Sequence, residues 1–216
     1  MFKGLFCQMA RILRDYPSVA IRPQELDGRT GFARLFGRDK PVHIEIGCGK
    51  ATFLLNEAKA YPEINFLGIE RASRYYRYAV DRIGRWMLKN VRIIRIDAVF
   101  LLAEFVPDGS VDCFHIYFPD PWPKKRQNKR RFFNSANVEQ LIRCLKTGGV
   151  IKAATDHPEY FGQIQALIAE RADRLEKTDF LPTSGAGQGE WAGTNFERKY
   201  ARQKRPIFCL AVRKKA

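Results

Sequence analysis

Long apolar runs are absent from this chain of 216 residues. No window approaches the roughly 18 to 20 apolar residues that a membrane-spanning helix needs, so we expect no membrane protein. Residues 1–17 place apolar side chains at helical spacing, but arginines interrupt them and no small-residue cleavage site follows, which argues against a signal peptide. We interpret this stretch as a small amphipathic segment that docks on the protein or frays; the alternatives are a membrane-surface helix and an RNA-binding arm.

Cysteine and histidine are scarce and scattered. The five cysteines are odd in number, and no two of them share a short metal-ligand spacing, which argues against a disulfide framework and a zinc site. His43, His115 and His157 are too dispersed along the chain to predict a metal cluster. We therefore expect a protein of the reducing cytoplasm that holds no metal.

Two nucleotide-binding motifs are also missing. The stretch "EIGCGK", residues 45–50, is a glycine turn that leads from a strand into a helix, where glycine lets the backbone approach a ligand closely. Thr52 stands where the dinucleotide fingerprint requires glycine or alanine, and the phosphate loop G-x-x-x-x-G-K-[ST] does not occur. Neither a dinucleotide nor ATP fits this turn well.

Positive charge is present in excess. Lys and Arg number 38 against 23 Asp and Glu, a formal net charge of +15. Such an excess indicates a polyanionic partner, nucleic acid above all. Residues 1–40 are basic and weakly periodic, and we expect them to form an appendage to a domain that spans residues 41–216.

Strand and helix patterns alternate from residue 42 onward. Strands are predicted at 42–47, 65–70, 90–97, 110–118 and 148–155, with a closing strand at 205–215. Helical segments between them predict an α/β protein with a mostly parallel, doubly wound sheet. Ligands of such sheets bind outside the carboxyl ends of the strands. The glycine-rich stretch 183–193 is predicted to be a mobile loop.

Acidic residues mark three successive strand ends. Glu45 lies beside the glycine turn, Glu70 ends the second strand and Asp97 ends the third. Each acid alone is more often a solvated strand end, but three around one pocket would repel a pyrophosphate. They suit a ligand with hydroxyls, an amine and a positive centre. S-adenosylmethionine has these features and no phosphate.

The stretch "FPDPWPKKRQNKRR", residues 118–131, joins a stiff acid to a basic run. Asp120 lies between Pro119 and Pro121, which nearly fix its backbone. A rigid mount suits an active-site acid, although a proline-rich loop whose acid pairs with a lysine is the simpler alternative. The cations that follow read as a phosphate clamp, or as a solvated surface: Lys124, Lys125, Arg126, Lys129, Arg130 and Arg131.

The chain resembles the bacterial tRNA (guanine-N7)-methyltransferase family. The resemblance rests on "IEIGCGK", "NFLGIE", "DAVFLL", "FPDPWPKKRQNKRRF", "GGVIKAATDHPEY" and "TNFERKY", in order from about residue 44 to 200. It implies a Rossmann-like class I methyltransferase fold with an antiparallel closing strand. It also implies methyl transfer from S-adenosylmethionine to N7 of a guanosine in the variable loop of tRNA, with S-adenosylhomocysteine as product, by a monomer or homodimer.

The resemblance also assigns residues. Asp120 is the implied catalytic residue. The implied cofactor-binding residues are Glu45, Gly47, Gly49, Glu70, Asp97 and Asp120. The implied substrate-binding residues are Lys124, Asp156, Thr194, Asn195, Phe196 and Glu197. The implied RNA contacts are Arg126, Gln127, Asn128, Lys129, Arg130 and Arg131.

Two positions depart from the family pattern. Asn195 replaces a lysine, which puts any ionic role of that position in doubt, and Ala51 replaces a glycine that many members carry. Asp156 could accept hydrogen bonds from the N1 and N2 edge of guanine, could cap the following helix, or could do both. The alternatives for the whole chain are a non-catalytic RNA-binding protein and an NAD-type oxidoreductase.

Overall fold

The computed structural model describes residues 12–28 and 31–216, and eight strands of these residues form one sheet. The strands are β1 (Ala20–Ile21), β2 (Val42–Ile46), β3 (Asn65–Ile69), β4 (Val91–Ile94), β5 (Val111–Tyr117), β6 (Leu145–Thr155), β7 (Leu175–Thr178) and β8 (Phe208–Lys214). The helices are α1 (Phe32–Phe36), α2 (Thr52–Ala60), α3 (Ser73–Arg85), α4 (Ala98–Phe105), α5 (Ser135–Cys144), α6 (Pro158–Ala169) and α7 (Asn195–Arg202). None of the described helices is long and apolar enough to cross a membrane.

The strand order is β1-β4-β3-β2-β5-β6-β8-β7. The pairs from β1 to β6 are parallel, whereas β8 runs antiparallel to both β6 and β7. This confirms the mostly parallel sheet with an antiparallel closing strand. The short strands β1 and β7 were not predicted, because two and four residues are too few to show a period.

The N-terminal residues that the structure describes pack into the fold. β1 pairs with β4 at the edge of the sheet, and Val19, Ile21 and Phe36 are buried. Residues 12–28 and 31–40 therefore contribute to the core, which differs from the appendage that their composition predicts. Most of the predicted amphipathic segment, residues 1–11, lies outside the described residues.

Helices cover both faces of the sheet. On one face α4, α5 and α6 contribute Leu101, Leu102, Val138, Leu141, Tyr160 and Ile164 to the core. On the other face α2 and α3 contribute Phe53, Leu54, Ala79, Val80 and Ile83. β3 is buried along its whole length, and a Cβ added at Gly68 would lie 2.5 Å from a methyl carbon of Leu54. Glycine is thus required where α2 packs against this central strand.

The glycine-rich stretch 183–193, which its composition predicts to be a mobile loop, contacts two helices in the structure. Ser184 donates from its backbone N–H and its hydroxyl to Oε1 of Glu57 on α2, at 2.7 and 2.5 Å. Arg198 of α7 pairs with Glu190 at 3.0 Å and donates to the carbonyl oxygen of Gly185. These contacts hold the loop against α2 and α7.

A hydrogen-bonded chain of rings lies along β2 and β5. The Nδ1 atom of His115 lies 2.8 Å from the hydroxyl of Tyr117, and its Nε2 atom lies 3.2 Å from Nδ1 of His43. The possible metal-ligand atoms of His43, Cys113 and His115 all lie within 4.8 Å of one another. The expectation that His43, His115 and His157 are too dispersed to form a metal cluster is therefore wrong for His43 and His115. The facing ring nitrogens are satisfied by one another and by Tyr117. Burial lowers the pKa of His43 to about 4 and that of His115 well below its usual value.

These lowered pKa values predict a pH-dependent stability. His43 binds a proton in the unfolded chain near pH 6.5 but in the folded chain only near pH 4, so the unfolded state binds more protons between these values. The free energy of unfolding should therefore fall as pH drops through this window, by up to about 1.4 kcal/mol per pH unit from His43. Urea titrations of a His43→Gln variant should show a shallower pH dependence, and an unchanged slope would contradict the prediction.

Candidate active site

Functional candidates follow five neighbouring strands at the carboxyl edge of the sheet. In the order β4, β3, β2, β5 and β6, these residues are Asp97, Glu70, Gly47, Asp120 and Asp156. From β2 the chain continues to β3 and β4 on one side, and then to β5 and β6 on the other. This change of direction creates the crevice in which ligands of doubly wound sheets bind.

The turn after β2 brings bare backbone to this crevice. Gly47 and Gly49 have φ values of 78° and 53°, and a Cβ added at either would meet no atom within 4 Å. Ala51 adopts the same left-handed conformation with φ of 53°, a conformation that is unfavourable for an L-residue. The turn thus keeps a glycine-like shape where alanine replaces the family glycine.

Glu70 ties two turns together. Its Oε2 accepts the N–H of Gly49 at 2.9 Å and its Oε1 accepts the N–H of Ala72 at 2.7 Å. A carboxylate has about four lone-pair sites, so each oxygen can still accept a ligand hydroxyl. Glu70 is therefore held rigidly at the crevice with capacity to spare.

Glu45 is a buried acid with an unused oxygen. Its side chain is 4% exposed, and Oε2 has no hydrogen-bond partner among the described residues. Burial, and then the nearby carboxylates of Glu70 and Glu57, raise the pKa of Glu45 well above its usual value. An orphaned carboxylate oxygen at this position calls for a donor, and a cationic donor would also offset the cost of its burial.

Asp97 begins α4 and is partly used by the backbone. Its Oδ1 accepts the N–H groups of Val99 and Phe100, which makes it the N-cap of the helix. Its Oδ2 lies 3.6 Å from a guanidinium nitrogen of Arg71, and the side chain is 47% exposed. The cap orients the carboxylate while one oxygen stays accessible.

Asp120 projects from a strained segment. Phe118 and Trp122 on either side have φ values of 53° and 42°, in the left-handed region that non-glycine residues rarely adopt. The N–H of Phe118 donates to the carbonyl oxygen of Ala154 on β6 at 2.7 Å. Asp120 itself is exposed at the carboxyl edge. Strained backbone of this kind clusters at functional sites.

The predicted RNA contact of Arg131 is wrong, because the side chain of this residue is buried. It is 1% exposed, and Nε donates to the carbonyl oxygen of Pro121 at 2.7 Å. Its other nitrogens donate to Glu159 and Gln163 of α6. A guanidinium with these partners is not available to a phosphate; it anchors the segment that carries Asp120.

The other cations of the run are exposed. Residues 125–130 form a 3₁₀ helix. The exposed cations are Lys124, Lys125, Arg126, Lys129 and Arg130, which we call the cationic patch. Gln127 and Asn128 are half-buried, and the amide nitrogen of Asn128 can donate to the carbonyl oxygen of Trp122 at 3.0 Å. Asn128 thus supports the turn from inside.

The stretch 194–197 begins α7 and is mostly engaged within the protein. Thr194 caps the helix, and the carboxylate of Glu197, 2% exposed, accepts three backbone N–H groups of residues 191–193. Asn195 donates to the hydroxyl of Thr52 at 2.8 Å. Thr52, the residue that breaks the dinucleotide fingerprint, therefore links α7 to the first turn of α2. Phe196 is 45% exposed.

Asp156 lies in a group that the sequence did not reveal. Its side chain is 7% exposed, and Oδ2 pairs with Nη2 of Arg205 at 2.5 Å. The guanidinium of Arg205 lies 4.7 Å from the ring centroid of Tyr200. Tyr200 contacts Phe118 and stacks on Phe196, with ring centroids 5.7 and 6.2 Å apart. Neither Tyr200 nor Arg205 has a spacing that would have identified it.

The helix after Asp156 has a different cap. The side chain of His157, and not that of Asp156, accepts the N–H of Tyr160 at the start of α6. The capping alternative for Asp156 is therefore wrong. Its carboxylate is left for the crevice and for Arg205.

Comparisons with known proteins show the family of this chain. A family model described as "Putative methyltransferase" matches residues 39–210. A tRNA (guanine-N(7)-)-methyltransferase of Rhodopirellula baltica is 35% identical over 94% of this chain and 76% of that protein. One of Idiomarina loihiensis is 39% identical over 85% of this chain and 81% of that protein.

A solved structure has the same fold. The aminoglycoside resistance methyltransferase NpmB1 superposes with a TM-score of 0.58 at 17% identity, over 85% of this chain and 91% of that one. At this identity the likeness concerns the fold alone. With the sequence matches across nearly the whole domain, the conclusion is direct: this chain belongs to the tRNA (guanine-N7)-methyltransferase family.

Proposed function

We propose that this protein transfers a methyl group from S-adenosylmethionine to N7 of a guanosine in the variable loop of tRNA. One observation carries the proposal: Asp120 follows β5, which is the neighbour of β2 and its acid-lined glycine turn, and it precedes the exposed cationic patch by a few residues. The turn suits a cationic nucleoside and the patch suits a polyanion, and the family membership names the reaction.

The residues of the crevice fit the cofactor. The open backbone at Gly47 and Gly49 admits a ligand, and the orphaned Oε2 of Glu45 would accept a hydrogen bond from its ammonium group. Glu70 would accept the ribose hydroxyls, and Asp97 would face the adenine end. When bound, S-adenosylmethionine would supply a methyl carbon activated by its sulfonium. The N7 lone pair would form the new C–N bond, and the electron pair of the broken C–S bond would stay on sulfur.

Asp120 acts on charge and position and not as a base. Guanine N7 carries an in-plane lone pair and no proton, so no proton has to be removed before attack. The methylated base is a cation. A carboxylate fixed beside it stabilises the positive charge that develops on the base, without reorganising during the reaction. The flanking prolines and the Arg131 anchor supply that fixed position.

The cationic patch holds the tRNA backbone. It follows Asp120 by only a few residues, so a phosphate bound there lies on the same side of the protein as the reacting base. Lys124 stands nearest to Asp120 in the chain, and the family resemblance gives it a substrate contact. Release of counterions from the RNA drives this kind of binding.

Incubation with labelled S-adenosylmethionine and unmodified tRNA tests the function. Label should enter the tRNA, and chain cleavage selective for N7-methylguanosine should map it to the variable loop. Tight tRNA binding without label transfer would favour the alternative of a non-catalytic RNA-binding protein. Label at any other atom or loop would refute the proposed reaction.

An Asp120→Asn variant tests the charge role. Because the amide keeps the size but loses the negative charge, we expect kcat to fall about 100- to 1,000-fold with little change in the KM for tRNA. Asp179→Asn, an exposed acid beyond β7, provides the control and should keep wild-type rates. Full turnover by Asp120→Asn would contradict the charge-stabilising role of Asp120.

The salt dependence of tRNA binding tests the cationic patch. Replacing Lys125, Arg126 and Lys129 by Gln should flatten the plot of log Kd against log salt by about 0.7 to 0.9 for each phosphate that the variant no longer neutralises. Lys177→Gln, on the far edge strand β7, removes a charge as a control and should leave the slope unchanged.

Arg131→Met gives a contrasting result in the same experiment. Since this guanidinium is buried and anchors Pro121, the variant should keep the salt slope but lose about 1 to 3 kcal/mol of stability. A slope that falls in Arg131→Met would contradict the anchoring role of Arg131, whereas a slope that stays unchanged in the triple variant would place the RNA elsewhere.

A further inference from the structure

The pairing of Arg205 with Asp156 has the chemistry of a bound guanine. In guanine, C2 is bonded to N1, N2 and N3, so the N1–N2 edge is a planar guanidine unit with N–H donors. In arginine, Cζ is likewise bonded to three nitrogens. A carboxylate that accepts from one of these units can accept from the other in the same way.

The Arg205 guanidinium also lies over an aromatic ring. The Arg205 guanidinium lies 4.7 Å from the centroid of the Tyr200 ring, and its Nη2 lies 2.5 Å from Oδ2 of Asp156. Protein sites for single nucleotides stack the base on an aromatic ring and hydrogen-bond its Watson–Crick edge. Here a guanidinium lies over an aromatic ring and contacts a carboxylate, the two kinds of group that such a site needs.

We propose that Arg205 occupies the position of the N1–N2 edge of the substrate guanine, so that Asp156 and Tyr200 form the guanine pocket and Arg205 is a built-in competitor for it. This inference rests on the proposed function and deepens it. Tyr200 is a specificity-determining residue because its ring sets the plane in which an edge can meet Asp156. Arg205 must leave Asp156 before the base binds.

The position of the pocket agrees with methylation at N7. In guanine, N7 lies on the edge opposite to N2, so a base whose N1–N2 edge meets Asp156 directs N7 away from it. Asp120 follows β5, the strand beside β6, and neighbouring strands lie about 4.8 Å apart. Both carboxylates act on the Tyr200 hydroxyl and raise its pKa, after the larger effect of burial. The Tyr200 hydroxyl is therefore within electrostatic range of both acids.

Arg205 is built to be displaced. Its side chain is 43% exposed, and it lies beyond the end of α7, in front of Pro206. Water weakens an ion pair that is open on one side. A pocket occupied in this way would admit guanine, which replaces both contacts, but would resist bases that lack the guanidine unit. Asp156 is thereby never left buried without a partner.

The proposal is tested by measuring how tightly the nucleoside guanosine binds to the full chain in the presence of S-adenosylhomocysteine. Ligand-observed NMR measures this affinity. Guanosine has no phosphate, so loss of the arginine charge cannot weaken binding through a phosphate. Arg205→Ala should bind guanosine about fivefold more tightly than the wild type. The gain in affinity should be smaller for inosine, which lacks N2, and absent for adenosine. Arg205→Gln, which keeps most of the alkyl chain, should act in the same direction.

Matched variants separate the pocket from general charge effects. Arg202→Ala, on the exposed end of α7, removes the same charge and should leave guanosine binding unchanged. Tyr200→Ala should weaken guanosine binding about tenfold, whereas Tyr200→Phe should stay within about twofold of wild type because the ring remains. Thermal melts check that each variant is folded.

The outcomes distinguish this inference from the proposed function. If the wild type methylates N7 in tRNA but Arg205→Ala binds guanosine as tightly as the wild type or more weakly, the competitor role is overturned and the reaction stands. If Arg205→Ala loses affinity for tRNA while its affinity for guanosine stays at the wild-type value, Arg205 is a phosphate contact and the proposal is again overturned. If guanosine affinity rises as expected but no methyl group enters tRNA, the guanine pocket stands and the proposed reaction fails.

Discussion

The buried guanidinium of Arg131 is the contact on which the crevice depends. It joins the carbonyl oxygen of Pro121 to Glu159 and Gln163 of α6, and so fixes a segment whose residues Phe118 and Trp122 are both left-handed. Each such residue costs on the order of 1–2 kcal/mol, and strain of this kind persists only where the surroundings over-determine the conformation. Movement of Pro121 would leave the Nε atom of this buried guanidinium without its hydrogen-bond partner, and that cost opposes relief of the strain. Asp120 is rigid for this reason as well as because of its prolines.

The same segment separates the two signs of charge. Before it lie the buried acids of the glycine turn, Glu45 and Glu70; after it lies the exposed cationic patch. Buried acids repel phosphate and exposed cations attract it, so a polyanion is drawn to the protein but kept out of the nucleoside crevice. The +15 charge of the chain thus coexists with a crevice that favours a cation.

The sequence was sufficient for what depends on local pattern. Alternating periods predicted the parallel sheet, its closing strand and the strand ends that carry Glu70, Asp97, Asp120 and Asp156. It was insufficient where a residue's role depends on a distant partner. Arg131 looks like its basic neighbours until the position of α6 is known, and the glycine-rich loop looks free until Glu57 and Glu197 are seen to bind its backbone. His43 and His115, 72 residues apart, meet only because β2 and β5 are neighbours.

Carboxylates show most clearly why partners decide function. Glu197 and Asp97 accept backbone N–H groups, and Glu197, with three of them, has become part of the scaffold. Glu45 keeps one buried oxygen without a partner, a cost that a bound cation can offset. Asp156 lies between these two cases. It has a partner, Arg205, but the Arg205 side chain is partly exposed and can be exchanged for a ligand. An acid that must be both stable when empty and available to a guanine edge needs such an exchangeable partner, and a guanidinium is the side chain whose hydrogen-bond donors most resemble that edge.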